Sequence, residues 1–152
     1  MTERAFELGD FLPYLLNQAA EATSQSFHRI YRDTYGMTRT QWRVLANLGK
    51  FGAMTARDIC KISHIEKTKV SRSVAALEAA GYLERAKSPM DRRAEILTLT
   101  ATGQQVFADL GQKAQDYDAH LRAQLGPEHS AQLDVVLRRL MALGIDPSFA
   151  DD

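Results

Sequence analysis

Arg92 and Arg93 follow Asp91 directly in the stretch RAKSPMDRRAEILTLTATG, residues 85–103. An arginine side chain is a planar fork of five N–H donors that keeps its charge at any physiological pH, so an adjacent pair suits phosphate oxygens and other anionic edges. Nothing close by in the sequence is able to bury them. Asp91 is expected to hold a guanidinium in one orientation before any partner arrives. A second cluster lies upstream in EKTKVSRSVAALEAAG, residues 66–81. There Lys67, Thr68, Lys69, Ser71 and Arg72 crowd the first two turns of a helix, while Val70, Val74 and Leu77 are spaced to face the other way. Cations and hydroxyls on one side of an anchored helix are the side-chain types that read base edges in the major groove of duplex DNA.

Both clusters need elements to position them. TRTQWRVLANLGKFG, residues 38–52, predicts a helix with Thr38 or Thr40 near its start, Trp42, Leu45 and Leu48 inward, and Gly49 and Gly52 ending it. TARDICKIS, residues 55–63, predicts a short helix capped by Thr55, with Asp58 in the first turn where the helix dipole favours an anion. Ser63 and Glu66 match a capping box, but a helix starting at Ser63 would leave almost no turn, so the next helix is placed from Glu66 to Gly81. Two short helices so closely joined form a helix-turn-helix candidate. YLERAKS and AEILTLT then read as strands of a hairpin whose loop contains Pro89, with Leu97 and Leu99 on one face and Thr98 on the other. A hairpin after a helix-turn-helix is a wing, and its tip would set Arg92 and Arg93 against the DNA backbone or in an adjacent narrow minor groove.

The flanks have a different character. Phe11, Leu15, Ala19, Ala22, Ser26 and Ile30 recur at spacings of three and four, widened by Leu12, Leu16, Phe27 and Tyr31, which predicts a long amphipathic helix from Asp10 to Asp33. Val106, Leu110, Ala114, Tyr117, Leu121 and Leu125 predict a second, stopped by Gly126 and Pro127, and Leu133, Val136, Leu137, Leu140 and Leu143 a third, ending at Gly144. Three wide apolar faces leave much uncovered surface unless they pack on one another or on a second copy, so a homodimer is expected, with Phe11, Leu12, Leu15, Leu121, Leu133, Leu137 and Leu140 in its interface. The expected division is a helical dimerisation region over 1–35 and 101–152 around a winged helix-turn-helix domain over 36–100.

Composition bounds the remaining classes. The chain has 152 residues, 45% hydrophobic and 25% charged, enough for one domain with a real core. Net charge is zero, which argues against coating nucleic acid by bulk charge, yet residues 57–93 hold nine Lys or Arg against five Asp or Glu. A basic stripe sits inside a neutral protein. One cysteine, Cys60, excludes a disulfide framework and is expected to be a small buried filler. The acidic start, with Glu3, Glu7 and Asp10, does not resemble a secretory signal, and no run approaches the roughly 20 apolar residues of a membrane span. A cytoplasmic setting without membrane contact is expected. Enzyme readings find little: His28, His64, His120 and His129 lack metal-ligand spacing, no nucleophile elbow is present, and Asp116 and Asp118 lie two apart and so do not share a helix face. No enzyme, metal or cofactor is expected.

Taken in order, TQWRVLANL, TARDICKISHIEKTKVSRSVAALEAAGYLER and DRRAEILTLTATG resemble the multiple-antibiotic-resistance regulator (MarR) family of bacterial winged-helix repressors, with the VSR...LEAAGYLER and DRR...LTLTATG runs the most specific. The resemblance implies a mainly α fold with a small β-hairpin wing and long dimerisation helices, and a homodimer on a palindromic double-stranded DNA operator. It carries Ser71 and Arg72 onto recognition-helix positions and Asp91 and Arg93 onto the wing element, with Arg93 inserting in the minor groove and Arg92 on phosphate. It also implies a small-molecule effector, an aromatic or phenolic anion, in a pocket that Tyr14, Phe27, Tyr31 and Trp42 would line. Two departures stand out: His64 replaces the glycine common in the turn, and the cysteine of peroxide-sensing members is absent. The alternative is a winged-helix interaction module whose basic face binds an acidic protein.

Overall fold

The computed structural model describes residues 5–144; residues 1–4 and 145–152, which the expected helical region includes, lie outside the described residues. In chain order the elements are α1 (Leu12–Tyr35), α2 (Arg39–Phe51), β1 (Met54–Thr55), α3 (Ala56–Ser63), α4 (Lys67–Ala79), β2 (Leu83–Lys87), β3 (Glu95–Leu99), α5 (Ala101–Leu125) and α6 (Pro127–Ala142). One compact unit reaches to Ala114 and a second begins at Gln115, so α5 contributes to both. No described helix is long and apolar enough to cross a membrane.

In the first unit each helix starts where its local chemistry dictates. A 3-10 turn over Leu8–Asp10 precedes α1, which then begins at Leu12 with Pro13 in its first turn, where a missing N–H costs nothing. Thr38 caps α2 in a reciprocal box with Gln41, and Thr55 caps α3 in one with Asp58. The Thr55 amide, then its hydroxyl, hold the Asp58 carboxyl below its usual range. Gly49 does not end α2 as expected. It lies inside the helix, where an added Cβ would strike the Phe107 ring of α5, and Gly52, at φ 78, makes the stop.

The sheet has three strands in the order β1-β3-β2, all antiparallel, one more than the expected hairpin. Met54 pairs with Leu97 and Thr55 with Ile96, and on the other side Leu83 to Lys87 pair with Leu99 to Glu95. Leu45, Leu48, Ile59, Val70, Val74, Leu77, Leu83 and Leu97 form the buried centre beneath, joined by Val106 and Leu110 of α5. Thr100 joins the wing to α5. Its hydroxyl donates to the Gly81 carbonyl at 2.6 Å and accepts the Gly103 amide at 3.0 Å, while its amide donates to the Tyr82 carbonyl at 3.0 Å. Gly103 has to be glycine because an added Cβ would overlap that same carbonyl oxygen. At the end of α1, the Tyr35 hydroxyl donates to Asp109 at 2.6 Å, and this bond together with partial burial pushes the phenol up to about 12.

In the second unit Gly126, at φ 83, and Pro127 do more than stop α5: glycine makes the bend and proline opens α6. Arg122 ties the two helical segments, donating to Asp118 and Asp134 at 2.8 Å each and to Ser130 at 3.0 Å.

Candidate nucleic-acid interface

The recognition face depends on how the chain turns between α3 and α4. Ser63 is the last residue of α3, its hydroxyl donating back to the Ile59 carbonyl within that helix, and it does not cap α4. His64 takes the left-handed conformation, φ 55 and ψ 38, the one non-glycine residue with positive φ among those described. Histidine here holds a conformation that glycine adopts most freely. Ile65 is buried, Glu66 is the N-cap, and α4 starts at Lys67. Across the turn, Arg43 of α2 donates Nη2 to the Ser63 carbonyl at 2.6 Å. Val70, Ser73, Val74 and Leu77 are buried against the rest of the unit, and Lys67, Thr68, Lys69, Ser71 and Arg72 are all exposed. The outward face is thus donor-rich and its backing is rigid.

The wing tip, residues 88–94, is closed by its own hydrogen bonds. The Ser88 amide donates to the Ala94 carbonyl at 2.9 Å, the Ser88 hydroxyl accepts the Met90 amide at 3.2 Å, and the Ala94 amide donates to the Asp91 carbonyl at 3.0 Å. Asp91 is not paired with a guanidinium as expected: its Oδ1 accepts the backbone amide of Arg93 at 3.0 Å. A carboxylate reaching two residues on is a turn former, so Asp91 shapes the backbone that presents Arg93. Arg92 and Arg93 are exposed, and Met90 between them and Pro89 is 95% exposed. Arg85, by contrast, is occupied in ion pairs with Glu78 and Glu95 at 3.1 Å each.

A cleft of about 530 Å3 lies between helix and wing, and it brings Ser71 together with Asp91, Arg92 and Arg93. Lys67, Thr68, Lys69 and Arg72 lie outside it, on the exposed face of α4. Arg57 and Lys87 also line the cleft, and neither was expected there. Their signal was present in the sequence: Arg57 lies in the first turn of the first helix of the pair and Lys87 closes the strand leading to the tip. Among the described residues no group of three or more His, Cys, Asp or Glu is placed to hold a metal, and Cys60 is half-buried instead of buried.

Residues 35–94, from α2 through the helix pair and β2 to the wing tip, match the sequence profile of the MarR family. The transcriptional regulator PA4135 superposes with a TM-score of 0.80 at 30% identity, over 89% of this chain and 98% of that one. The chain belongs to the MarR family. It is a winged-helix transcriptional regulator in a mainly helical frame, and among its relatives the homoprotocatechuate degradative operon repressor of Escherichia coli is 27% identical over 135 residues, 89% of this chain and 90% of the relative. NadR, solved in complex with 4-hydroxyphenylacetate, is 25% identical with a TM-score of 0.75, over 94% of this chain and 99% of that one.

This MarR-family chain has a second cleft, of about 770 Å3, between α1 and α2. Phe27, Tyr31 and Trp42 meet there: Phe27 sets its edge toward both partners at 5.5 Å between centroids, and Tyr31 stacks on Trp42 at 6.0 Å and 20°. Tyr31 is 1% exposed, so it serves as core as much as lining. Tyr14, expected in the same place, does not line it; the lining starts a turn later, at Asn17 and Gln18. Two arginines line the cleft with the aromatics. Arg39 grips Glu21 of α1 with both terminal nitrogens, at 2.7 and 3.1 Å, and Arg39, then the Gln25 amide, hold the Glu21 carboxyl below its usual range. The Nε of Arg39 is buried without a hydrogen-bond partner among the described residues. Arg43 is the second.

Proposed function

We propose that the protein is a homodimeric, cytoplasmic repressor that holds a palindromic operator and releases it when an aromatic acid enters the cleft between α1 and α2. The observation that carries the DNA reading is the exposed face Lys67, Thr68, Lys69, Ser71 and Arg72, backed by buried Val70, Val74 and Leu77 and joined by one cleft to Arg92 and Arg93. In this reading α4 lies in the major groove, with Arg72 and Ser71 toward base edges and the lysines toward phosphate. Arg93 enters the neighbouring minor groove, where narrow A·T-rich stretches concentrate negative potential, and Arg92, Arg57 and Lys87 reach the backbone. One such helix offers too few contacts for tight specific binding, and a chain of zero net charge gains little from general attraction to DNA.

Two copies solve this. Phe11 just before α1, Leu12 and Leu15 on α1 and Leu133 on α6 are exposed in the single chain, with Leu121, Leu137 and Leu140 half-buried. These faces are proposed to be covered by a second copy, setting the recognition helices about 34 Å apart on half-sites about 10 base pairs between centres. For the effector, a ring slot of Phe27, Tyr31 and Trp42 beside two guanidiniums fits an aromatic carboxylate, in keeping with the hydroxyphenylacetate held by NadR. A gel shift of duplex from the protein's own promoter region, against excess unrelated duplex and with added 4-hydroxyphenylacetate, is the test. Retention of a discrete complex against competitor and its loss with the acid are expected; equal competition by unrelated duplex would remove the sequence-specific reading.

A further inference from the structure

We propose that Arg43 is the positioning residue of the recognition helix and the point at which an anion in the aromatic cleft acts on DNA binding. The second half rests on the reading of that cleft as an effector site; the first half does not. Ser63 is the last residue of α3, and a helix C-terminus leaves its final carbonyls without partners inside the helix. The 2.6 Å bond from Arg43 satisfies the carbonyl of Ser63 from a different helix. Immediately after it comes His64 at φ 55, a conformation that glycine adopts freely and that other residues keep only where their surroundings fix it. A charge-assisted bond on the adjoining carbonyl is such a fixture. Three residues later, at Lys67, α4 begins, with every expected base-reading side chain in its first two turns.

Arg43 is also among the residues that line the aromatic cleft. Arg39 is already gripped at both nitrogens by Glu21, whereas Arg43 forms no ion pair among the described residues and gives one bond to a neutral carbonyl. A carboxylate arriving beside Phe27 and Trp42 offers Arg43 two charged acceptors in place of that oxygen, and such fork pairing is about twice as strong as bonding to a neutral group. Arg43 turns to the acid, the Ser63 carbonyl loses its partner, and the turn that aims α4 loosens. The cleft and the recognition helix are thus connected through one side chain.

The experiment uses the full chain and its Arg43→Gln and Arg43→Lys variants. Without effector, amide exchange at residues 64–70 is expected to quicken about tenfold in Arg43→Gln, the size of effect a lost bond to a charged donor gives. Operator affinity should fall with it, affinity for random duplex should stay within about twofold, exchange in β2 and β3 should not change, and Arg43→Lys should recover part of the loss. Unchanged exchange at 64–70 with unchanged operator affinity overturns the positioning role. Should Arg43→Gln not fold, the same comparison is made with Arg43→Lys, where full wild-type behaviour overturns it.

With 4-hydroxyphenylacetate as probe, calorimetry reads acid binding and anisotropy reads operator binding. The acid should weaken operator binding in the wild type and leave it unchanged in Arg43→Gln. Loss of acid binding in that variant also supports the proposal, since the acid then takes its hold from Arg43 itself. An acid that binds Arg43→Gln and weakens operator binding by the wild-type factor overturns the coupling while leaving the effector site standing. An acid that does not bind the wild type removes effector site and coupling together, and the exchange measurement still decides the positioning role.

Discussion

Replacing Asp91 sets two effects of opposite sign against each other. Its carboxylate places a negative charge next to Arg92 and Arg93, so removing it should help a polyanion bind; screened by solvent, a single exposed charge of this kind is worth about 0.2–1 kcal/mol. The same carboxylate accepts the Arg93 amide at 3.0 Å and shapes the tip, and an exposed bond of that type contributes about 0.5–1.5 kcal/mol. The magnitudes overlap, so Asp91→Ala alone decides nothing. Asp91→Asn does. Both variants lose the charge, but asparagine keeps an oxygen where Oδ1 accepts, weaker by about half for being neutral. If the bond to Arg93 is what matters, Asp91→Asn should hold the operator more tightly than Asp91→Ala by about two- to fivefold, the ceiling set by about 1 kcal/mol of turn stability. Fluorescence anisotropy on one operator duplex at several salt concentrations gives the comparison, since the salt slopes of the two variants should agree while their affinities differ. Equal affinities would refute the argument and return Asp91 to pairing with a guanidinium, a role that asparagine cannot fill.

Arg72→Ala should cost about 1–3 kcal/mol of operator binding and relax preference at one base pair per half-site, as read by binding to a set of singly substituted operators; equal weakening on random duplex would place Arg72 on phosphate. Leu15→Asp or Leu137→Asp should give monomers or unfolded chain in the ultracentrifuge and abolish operator footprints, although every DNA-facing residue remains; a folded monomer that still protects a full palindrome would sink the proposed assembly. Gly103→Ala should destabilise by about 1–3 kcal/mol in urea, because its Cβ meets a carbonyl already bonded to Thr100, while Gly111→Ala, with open space around it in the same helix, should be neutral or stabilising. Lys113 and Tyr35 lower the Asp109 carboxyl and Arg122 lowers that of Asp134. A lowered folded pKa adds stability that is present above the unfolded value and lost as pH falls through the folded one, so these groups should leave urea midpoints level from about pH 5 to 7 and reduce them below about pH 4, a fall that Asp109→Asn should lessen.

Much of the frame was legible because it is repeated along the chain. Helical periodicity at Val70, Val74 and Leu77 placed the inner face of α4, and the rejection of a start at Ser63 held because Ser63 is still the last residue of α3 and Glu66 is the N-cap. Features set by single long-range contacts were not legible. Nothing local distinguishes Gly49 from a helix stop; Phe107, far along the chain, makes the difference. Strand β1 is two residues long, below the length at which alternation is detectable, and exists because β3 offers it an edge. In the wing, charge suggested that Asp91 would seek a guanidinium, but the backbone amide two residues on lies closer than any side chain needs to travel. Tyr14 has the right chemistry for the aromatic cleft and sits one turn too early on α1 to line it.

The wing tip also differs from every other connection in length. Residues 88–94 separate β2 from β3, whereas the other described elements are joined by three residues or fewer, and β1 passes into α3 with none between. An inserted residue in one of those short joints would rotate a packed helix or flip the facing of a strand, and the core would have to be rebuilt around it. At the tip, an insertion changes only how far the loop reaches. Lengthening, shortening or recharging those residues is therefore the least costly route by which descendants of this chain, or a designer working on it, can move to a different operator while the helices beneath keep their packing.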